Sequence, residues 1–238
     1  MLAITPDSRF AHRGLHDGDR PRNSLPAIVA AADAGYGIEF DVHLSSDGIP
    51  FISHDPDTRA DTGAELLIGA TRSEVLRELT FVGTNLRLAT LEDVVREVRP
   101  EVPLLVEVKP TRRVSETLRA ITERLAGREG AVAIQSFQPS VVHAVRRHHT
   151  GFAAGQLAED ANAAMPLHER WYWQTLATNA WVRPDFLAVY LTALTRPVVR
   201  FWRDRLGIPV LGWTVVDAED IETCRAADAG LIFERVRP

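Results

Sequence analysis

Eight short apolar runs, with helical patterns between them, constrain the fold of this chain more than any other feature. They are Arg9 to His12, Ile38 to Val42, Pro103 to Val108, Val132 to Ser136, Phe152 to Gln156, Phe186 to Tyr190, Pro209 to Thr214 and Gly230 to Phe233. Runs of this length read as strands, and those that are apolar throughout read as buried on both faces. Strand–helix alternation over eight such units predicts an α/β chain closed into a parallel (β/α)8 barrel. A doubly wound open sheet is the competing arrangement. The 238 residues are read as a single domain, 1–238.

The intervening segments carry their own helix signals. Leu25 to Ala34 is alanine-rich, starts after Asn23-Ser24 and stops at Gly35, a good N-cap followed by a good C-terminal stop. Thr90 precedes Leu91 to Val98, with Asp93 three positions on, a loose capping box. Arg113 to Leu125, Pro139 to His148, Thr195 to Leu206 and Ala218 to Ala227 complete the series. Two regions break the alternation. Pro56 to Arg87 shows no clear strand and is read as part of a small insertion, about 43–88, after the second β unit and overhanging the barrel mouth. Met165 to Pro184 gathers Trp171, Tyr172, Trp173 and Trp181. It reads either as an extra helix packed on the barrel wall or as an apolar surface for a lipid tail or another subunit.

A net charge of -5 argues against general nucleic-acid binding. The single cysteine, Cys224, excludes an internal disulfide and a cysteine zinc site, and reads as a small buried apolar residue. No apolar run is long enough to span a bilayer. Met1 to Phe10 lacks the basic start and apolar stretch of a signal peptide. The expectation is a cytoplasmic protein.

In a barrel of this kind the reactive groups sit at the C-terminal ends of the strands. His12 and Arg13 end the first strand. Glu39 and Asp41 are two apart on the second and point to the same side; Glu107 and Lys109 repeat that spacing on the third. His54-Asp55 follows the apolar run Ile49 to Ser53. Three carboxylates converging from neighbouring strands make a hard, oxygen-rich cation site, suited to Mg²⁺ or Ca²⁺. Arg13 and Lys109 face the same space as donors for phosphate oxygens. Glu107, flanked by Leu104-Leu105-Val106 and Val108, must be paired or metal-bound; an internal salt bridge to Lys109 is the alternative to metal ligation. His16, His43, His143, His148, His149 and His168 read as ordinary packed or surface histidines. Acid, base, metal ligands and phosphate clamp are what a metal-assisted phosphodiester hydrolase needs.

In chain order stand His12-Arg13-Gly14, Asn23-Ser24, Ile38 to Val42 (Ile-Glu-Phe-Asp-Val), Asp47-Gly48, His54-Asp55, Thr90 to Asp93 (Thr-Leu-Glu-Asp), Glu107 to Lys109 (Glu-Val-Lys), Ser136-Phe137 and Trp213 to Val215 (Trp-Thr-Val). This ordered set resembles the glycerophosphodiester phosphodiesterase family over nearly the whole chain. The resemblance implies a TIM barrel with a small inserted subdomain. It also implies hydrolysis of a small-molecule glycerophosphodiester to sn-glycerol 3-phosphate and an alcohol. It implies Glu39, Asp41 and Glu107 as ligands of a divalent cation, Mg²⁺ or Ca²⁺, His12 and His54 as general acid and base, and Arg13 and Lys109 on the phosphate. It further implies Trp213 over the glycerol moiety, Phe137 as an apolar wall and Ser136 as a pocket member.

The chain departs from that pattern in three places. Most members carry Glu before the Asn-Thr/Ser pair, and here Arg22 stands there. Many read Thr-Asp-x-Pro near the end, and here the sequence is Phe233-Glu234-Arg235. The leucine usual after His-Asp gives way to Asp57-Thr58. Arg22 is expected to swing to solvent against Asp17, Asp19 or another nearby acid rather than enter the site, because a fixed cation repels a divalent metal. Two other functions stay open. One is a lysophospholipase D-type hydrolase making peripheral lipid contact, favoured by the tryptophan segment. The other is a catalytically weak binding or regulatory protein with the same fold, favoured by Arg22. The sequence does not specify an oligomeric state.

Overall fold

The structure, a computed structural model, describes residues 1–159 and 176–238. Its strands are β1 (Arg9–His12), β2 (Gly37–Leu44), β3 (Pro50–Ile52), β4 (Leu104–Val108), β5 (Val132–Ser136), β6 (Ala153–Ala158), β7 (Phe186–Tyr190), β8 (Val210–Val215) and β9 (Gly230–Phe233). All except β3 pair in parallel. The order runs β1-β2-β4-β5-β6-β7-β8-β9, and β9 returns to β1. The sheet is therefore a closed (β/α)8 barrel, and the open doubly wound alternative is excluded. β3 pairs antiparallel with the outer end of β2, Val42 to Leu44.

Alternation along each strand separates two cores. Outward residues such as Ile38, Phe40, Val106, Ile134 and Val189 meet the apolar faces of the surrounding helices, including Leu118 and Ile121. Inward residues Phe10, Leu105, Phe186, Leu211 and Ile232 fill the barrel floor. The large rings fit because their neighbours are small. A Cβ on Gly37 would stand 2.6 Å from the Phe10 ring, and one on Gly155 would stand 2.1 Å from that of Phe186. Further along the strands the inward side chains turn polar. His12 follows Phe10, Glu107 follows Leu105, and Gln135 follows Ala133.

The helix signals work as capping chemistry requires. Ser24 caps Leu25–Asp33, and Thr90 and Asp93 form the reciprocal box that starts Leu91–Glu97. The predicted helix Thr195 to Leu206 starts two residues later, at Pro197, and opens into a π-type turn over Phe201–Arg205. Proline is pre-shaped for a first helical position, which sets that start. In the inserted region Phe51, Ile68, Leu76, Phe81 and Leu88 bury one another in a cluster of their own. Asp47 pins it to β2, accepting from Ser45 Oγ at 2.7 Å, Ser73 N at 2.9 Å and Ser73 Oγ at 2.7 Å. Trp171, Tyr172 and Trp173 lie outside the described residues. Trp181, just before β7, stacks on His143 with ring centroids 4.1 Å apart. Among the described residues no helix is long and apolar enough to cross a membrane.

Gly155→Ala is expected to cost about 1–3 kcal/mol, the usual range for overpacking a filled core. It should lower the urea midpoint without changing the slope. An unchanged midpoint would mean that the Phe186 ring moves aside freely.

Candidate active site

The polar inward residues collect at the C-terminal rim around a cleft of ≈ 330 Å³. Beneath it Glu39, Asp41 and Glu107 are buried, with one ligand oxygen from each within 4.8 Å of the others. Two cations meet them. Lys109 Nζ donates to Glu107 Oε1 at 2.7 Å and Asp41 Oδ1 at 3.0 Å. Arg13 Nε pairs with Asp41 Oδ2 at 3.2 Å. The Arg13 backbone N–H donates to Glu39 Oε2 at 3.1 Å.

That last contact explains the His-Arg-Gly sequence. After β1 the chain turns sharply, with φ of 57° at Arg13 and 79° at Gly14. A Cβ on Gly14 would stand 2.6 Å from the Ala27 backbone. Only glycine gives both the conformation and the close approach to the first helix.

Each site histidine is held through Nδ1. His12 Nδ1 lies 3.0 Å from Glu234 Oε2, and His54 Nδ1 lies 2.7 Å from Asp55 Oδ1. Both rings line the cleft, and His12 Nε2 stands 4.0 Å from Glu39 Oε2. The rest of the lining includes Arg13, Lys109, Gln135, Phe137 and Trp213. Phe137 meets Trp213 edge-to-face at 5.8 Å, and Tyr190 meets it from another side at 5.3 Å.

Comparison with known proteins settles the family. The chain matches the Glycerophosphoryl diester phosphodiesterase family over residues 12–236. It belongs to that family. Glycerophosphodiester phosphodiesterase 1 of Mus musculus is 30% identical over 151 residues, covering 59% of this chain and 45% of the relative. The matched stretch is thus less than half the length of that curated relative. Among solved structures, a glycerophosphodiester phosphodiesterase from Thermotoga maritima is 26% identical with a TM-score of 0.75, covering 95% of this chain and 94% of that one. A phosphodiesterase from Oleispira antarctica, in complex with the product sn-glycerol-3-phosphate, is 23% identical with a TM-score of 0.78, covering 95% and 92%.

In this phosphodiesterase-family chain the structure brings together His12, Arg13, Glu39, His54, Glu107, Lys109, Phe137 and Trp213 at the cleft, with Asp41 just below. Ser136 is turned the other way. Its Oγ donates to Val108 O at 2.6 Å and accepts from Gln138 N at 3.1 Å. Gln135 takes the inward position, buried, with Oε1 unpartnered. Alternation puts 135 and 137 on one side and 136 on the other, so Gln135 was readable from strand parity.

Other residues at the site carried weaker signals. Asn23 looked like half of a helix start, but its Nδ2 donates to Asp41 Oδ2 at 2.8 Å. Glu159 at the end of β6 also lines the cleft. Arg22, 40% exposed, finds its acids in the inserted region, 3.9 Å from both Asp55 and Asp61. Asp17 is held by Arg20 and Arg237 instead.

The internal salt bridge between Glu107 and Lys109 is present, yet it does not neutralise the cluster. Among the described residues two cations, Lys109 and Arg13, stand against three buried carboxylates, so full ionisation of these groups leaves one negative charge over. Burial, reinforced by Asp41 and Glu107, pushes Glu39 well above the usual carboxylate range. Burial and then Asp41 push Glu107 up to about 7 despite Lys109. Burial also opposes ionised Asp41, but Lys109, Arg13, His54 and the Asn23 bond outweigh it and hold the group well below that range. Excess negative charge on three convergent hard oxygens fits a divalent cation. Burial lowers the His54 pKa, as do Lys109 and Arg13, against the pull of Asp41.

Glu107 binds its proton more tightly folded than unfolded. Its contribution to stability is full below 4.5 and is lost as pH rises through about 7. Asp41 works in the opposite sense, and its contribution is lost only as pH falls below 3.8. Buried histidines such as His43 and His54 oppose Glu107 over part of the same window, so the informative comparison is with Glu107→Gln. In chelator, the variant's stability relative to wild type should rise between roughly pH 5 and pH 7.5. A constant difference in urea titrations across that range would contradict the assignment.

Proposed function

We propose that this protein hydrolyses glycerophosphodiesters to sn-glycerol 3-phosphate and an alcohol. The observation that carries the reading is the pair of imidazoles, each held at Nδ1 by a carboxylate, above three buried acids with Arg13 and Lys109 beside them. Family membership and the product bound to the Oleispira antarctica relative support the same substrate class.

The division of labour follows from chemistry and position. Glu39, Asp41 and Glu107 would hold a divalent cation, Mg²⁺ or Ca²⁺, which when bound supplies charge neutralisation to the phosphate and acidity to a hydroxyl. Arg13 and Lys109 donate to phosphate oxygens. One of His12 and His54 takes the proton of the attacking hydroxyl at Nε2, whether from water or from the adjacent glycerol carbon. The other, protonated at Nε2, gives its proton to the leaving alkoxide. Attack by the glycerol hydroxyl gives a cyclic phosphate that water then opens. Trp213 and Phe137 make the apolar wall for the glycerol carbons, and Gln135 Oε1 accepts from a glycerol hydroxyl. Of the aromatic residues that favour a lysophospholipase D-type reading, Trp171, Tyr172 and Trp173 lie outside the described residues, and Trp181, exposed and stacked on His143, does not line the cleft.

His12→Ala and His54→Ala should each lower kcat by about 10²–10⁴ in a product assay on glycerophosphocholine, the scale of positioned proton transfer. His148→Ala serves as a control and should keep wild-type rates. Near-normal kcat in both site variants would sink the acid/base assignment.

Exhaustive chelation should abolish turnover, and Mg²⁺ or Ca²⁺ should restore it. Glu39→Ala should fail to bind the cation by calorimetry while the barrel stays folded by circular dichroism. Full activity in the chelated protein would end the metal reading.

Gln135→Leu should raise KM about 2–10-fold with little change in kcat, the net worth of one hydrogen bond. An unchanged KM would remove Gln135 from substrate binding.

A further inference from the structure

We infer that Glu234 is the positioning residue of His12, acting through the imidazole rather than on the substrate. The inference rests on the hydrolytic reading above, since it takes His12 as a proton-transfer group.

Four observations carry it. Glu234 Oε2 is 3.0 Å from His12 Nδ1, while Glu234 itself does not line the cleft. Its other oxygen, Oε1, faces His16 Nε2 at 3.5 Å and the exposed Arg235 Nε at 3.8 Å. The backbone at this point is fixed as well, because Glu234 N donates to Val215 O at 2.8 Å and Glu234 O accepts from Val236 N at 2.8 Å. The carboxylate stays ionised, since the His12 bond and the nearby His12, His16 and Arg13 charges bring its pKa down to about 2 against the cost of burial.

A carboxylate on Nδ1 does three things to an imidazole. It fixes the tautomer with the proton on Nδ1, so the Nε2 lone pair faces the cleft. It restricts rotation of the ring. It also favours the imidazolium formed when Nε2 takes up a proton. His16, an unremarkable histidine in the sequence, gains a part here as the partner of the second oxygen.

A double-mutant cycle with His12 provides the test. Glu234→Gln keeps shape and removes charge, and should lower kcat about 10–100-fold with KM little changed, the range seen when such supporting partners are lost. In a His12→Ala background the same substitution should cause no further loss, because the group it acts through is gone. Glu234→Asp retains the charge and should recover part of the lost kcat. The downfield Nδ1 proton resonance of His12 should weaken in Glu234→Gln, a readout that stands even where turnover is low.

Equal losses in the wild-type and His12→Ala backgrounds would show a merely structural role and overturn the inference. An unchanged kcat in Glu234→Gln would do the same while leaving the hydrolytic reading intact. Wild-type kcat in His12→Ala would overturn the acid/base reading itself, and this inference with it.

Discussion

Three carboxylates buried side by side are the constraint on which this site depends. Isolated charges do not survive out of water without partners. Asp41 has the most: Lys109, Arg13 and Asn23 all reach it. Glu107 shares Lys109, while Glu39 receives a backbone N–H and, among the described residues, pairs with no lysine or arginine side chain. The unevenness sets the pKa order, with Asp41 ionised most readily and the two glutamates resisting. Lys109 has a double task, as it balances two acids and lies at the cleft where a phosphate would sit. The Coulombic asymmetry and a cation's place in the site are therefore one feature.

The barrel makes this constraint tolerable by separating functions along each strand. Near the strand starts, inward positions hold Phe10, Leu105 and Ala133 in an apolar floor. Two residues further on, the same rows carry His12, Glu107 and Gln135. Parallel strands set every change from apolar to polar at the same end, so the charged groups meet there without interrupting the core. The glycines opposite Phe10 and Phe186 let that floor close. Stability and chemistry occupy different layers of one set of strands.

How much was legible follows from the reach of each signal. The strand runs and the Glu39–Asp41 and Glu107–Lys109 spacings are local patterns, and parity puts Glu39, Asp41 and Glu107 on the inward side, where they gather with Lys109 at and just beneath the cleft. Ser136 shows what happens when motif resemblance is preferred to parity, for the adjacent Gln135 faces the cleft and Ser136 faces the barrel wall. Asn23 was visible only as a helix start because a side chain can cap or bridge, and 18 residues of separation hide the bridge to Asp41. Arg22 was expected to find an acid, but the acids come from the inserted region, whose own packing had no periodic signal. The order-of-motif resemblance identified what composition could not, since net charge and a single cysteine exclude classes without choosing one.

The two histidines differ in how their geometry is secured. His54 takes its carboxylate from the adjacent residue, so its orientation is set within one loop of the inserted region and follows that loop. Arg22 stands on the β1 side of that loop, 3.9 Å from Asp55 and from Asp61. His12 takes its carboxylate from Glu234, 222 residues away, across the β1–β9 seam that closes the sheet. The first arrangement tolerates a breathing barrel, whereas the second exists only while the last strand is docked. Parting β9 from β1 would separate His12 from its partner while leaving the acid cluster on β2 and β4 in place. The bond from the Glu234 backbone N–H to Val215 O acts at that seam. Closure of the barrel and readiness of one imidazole are thus a single structural event.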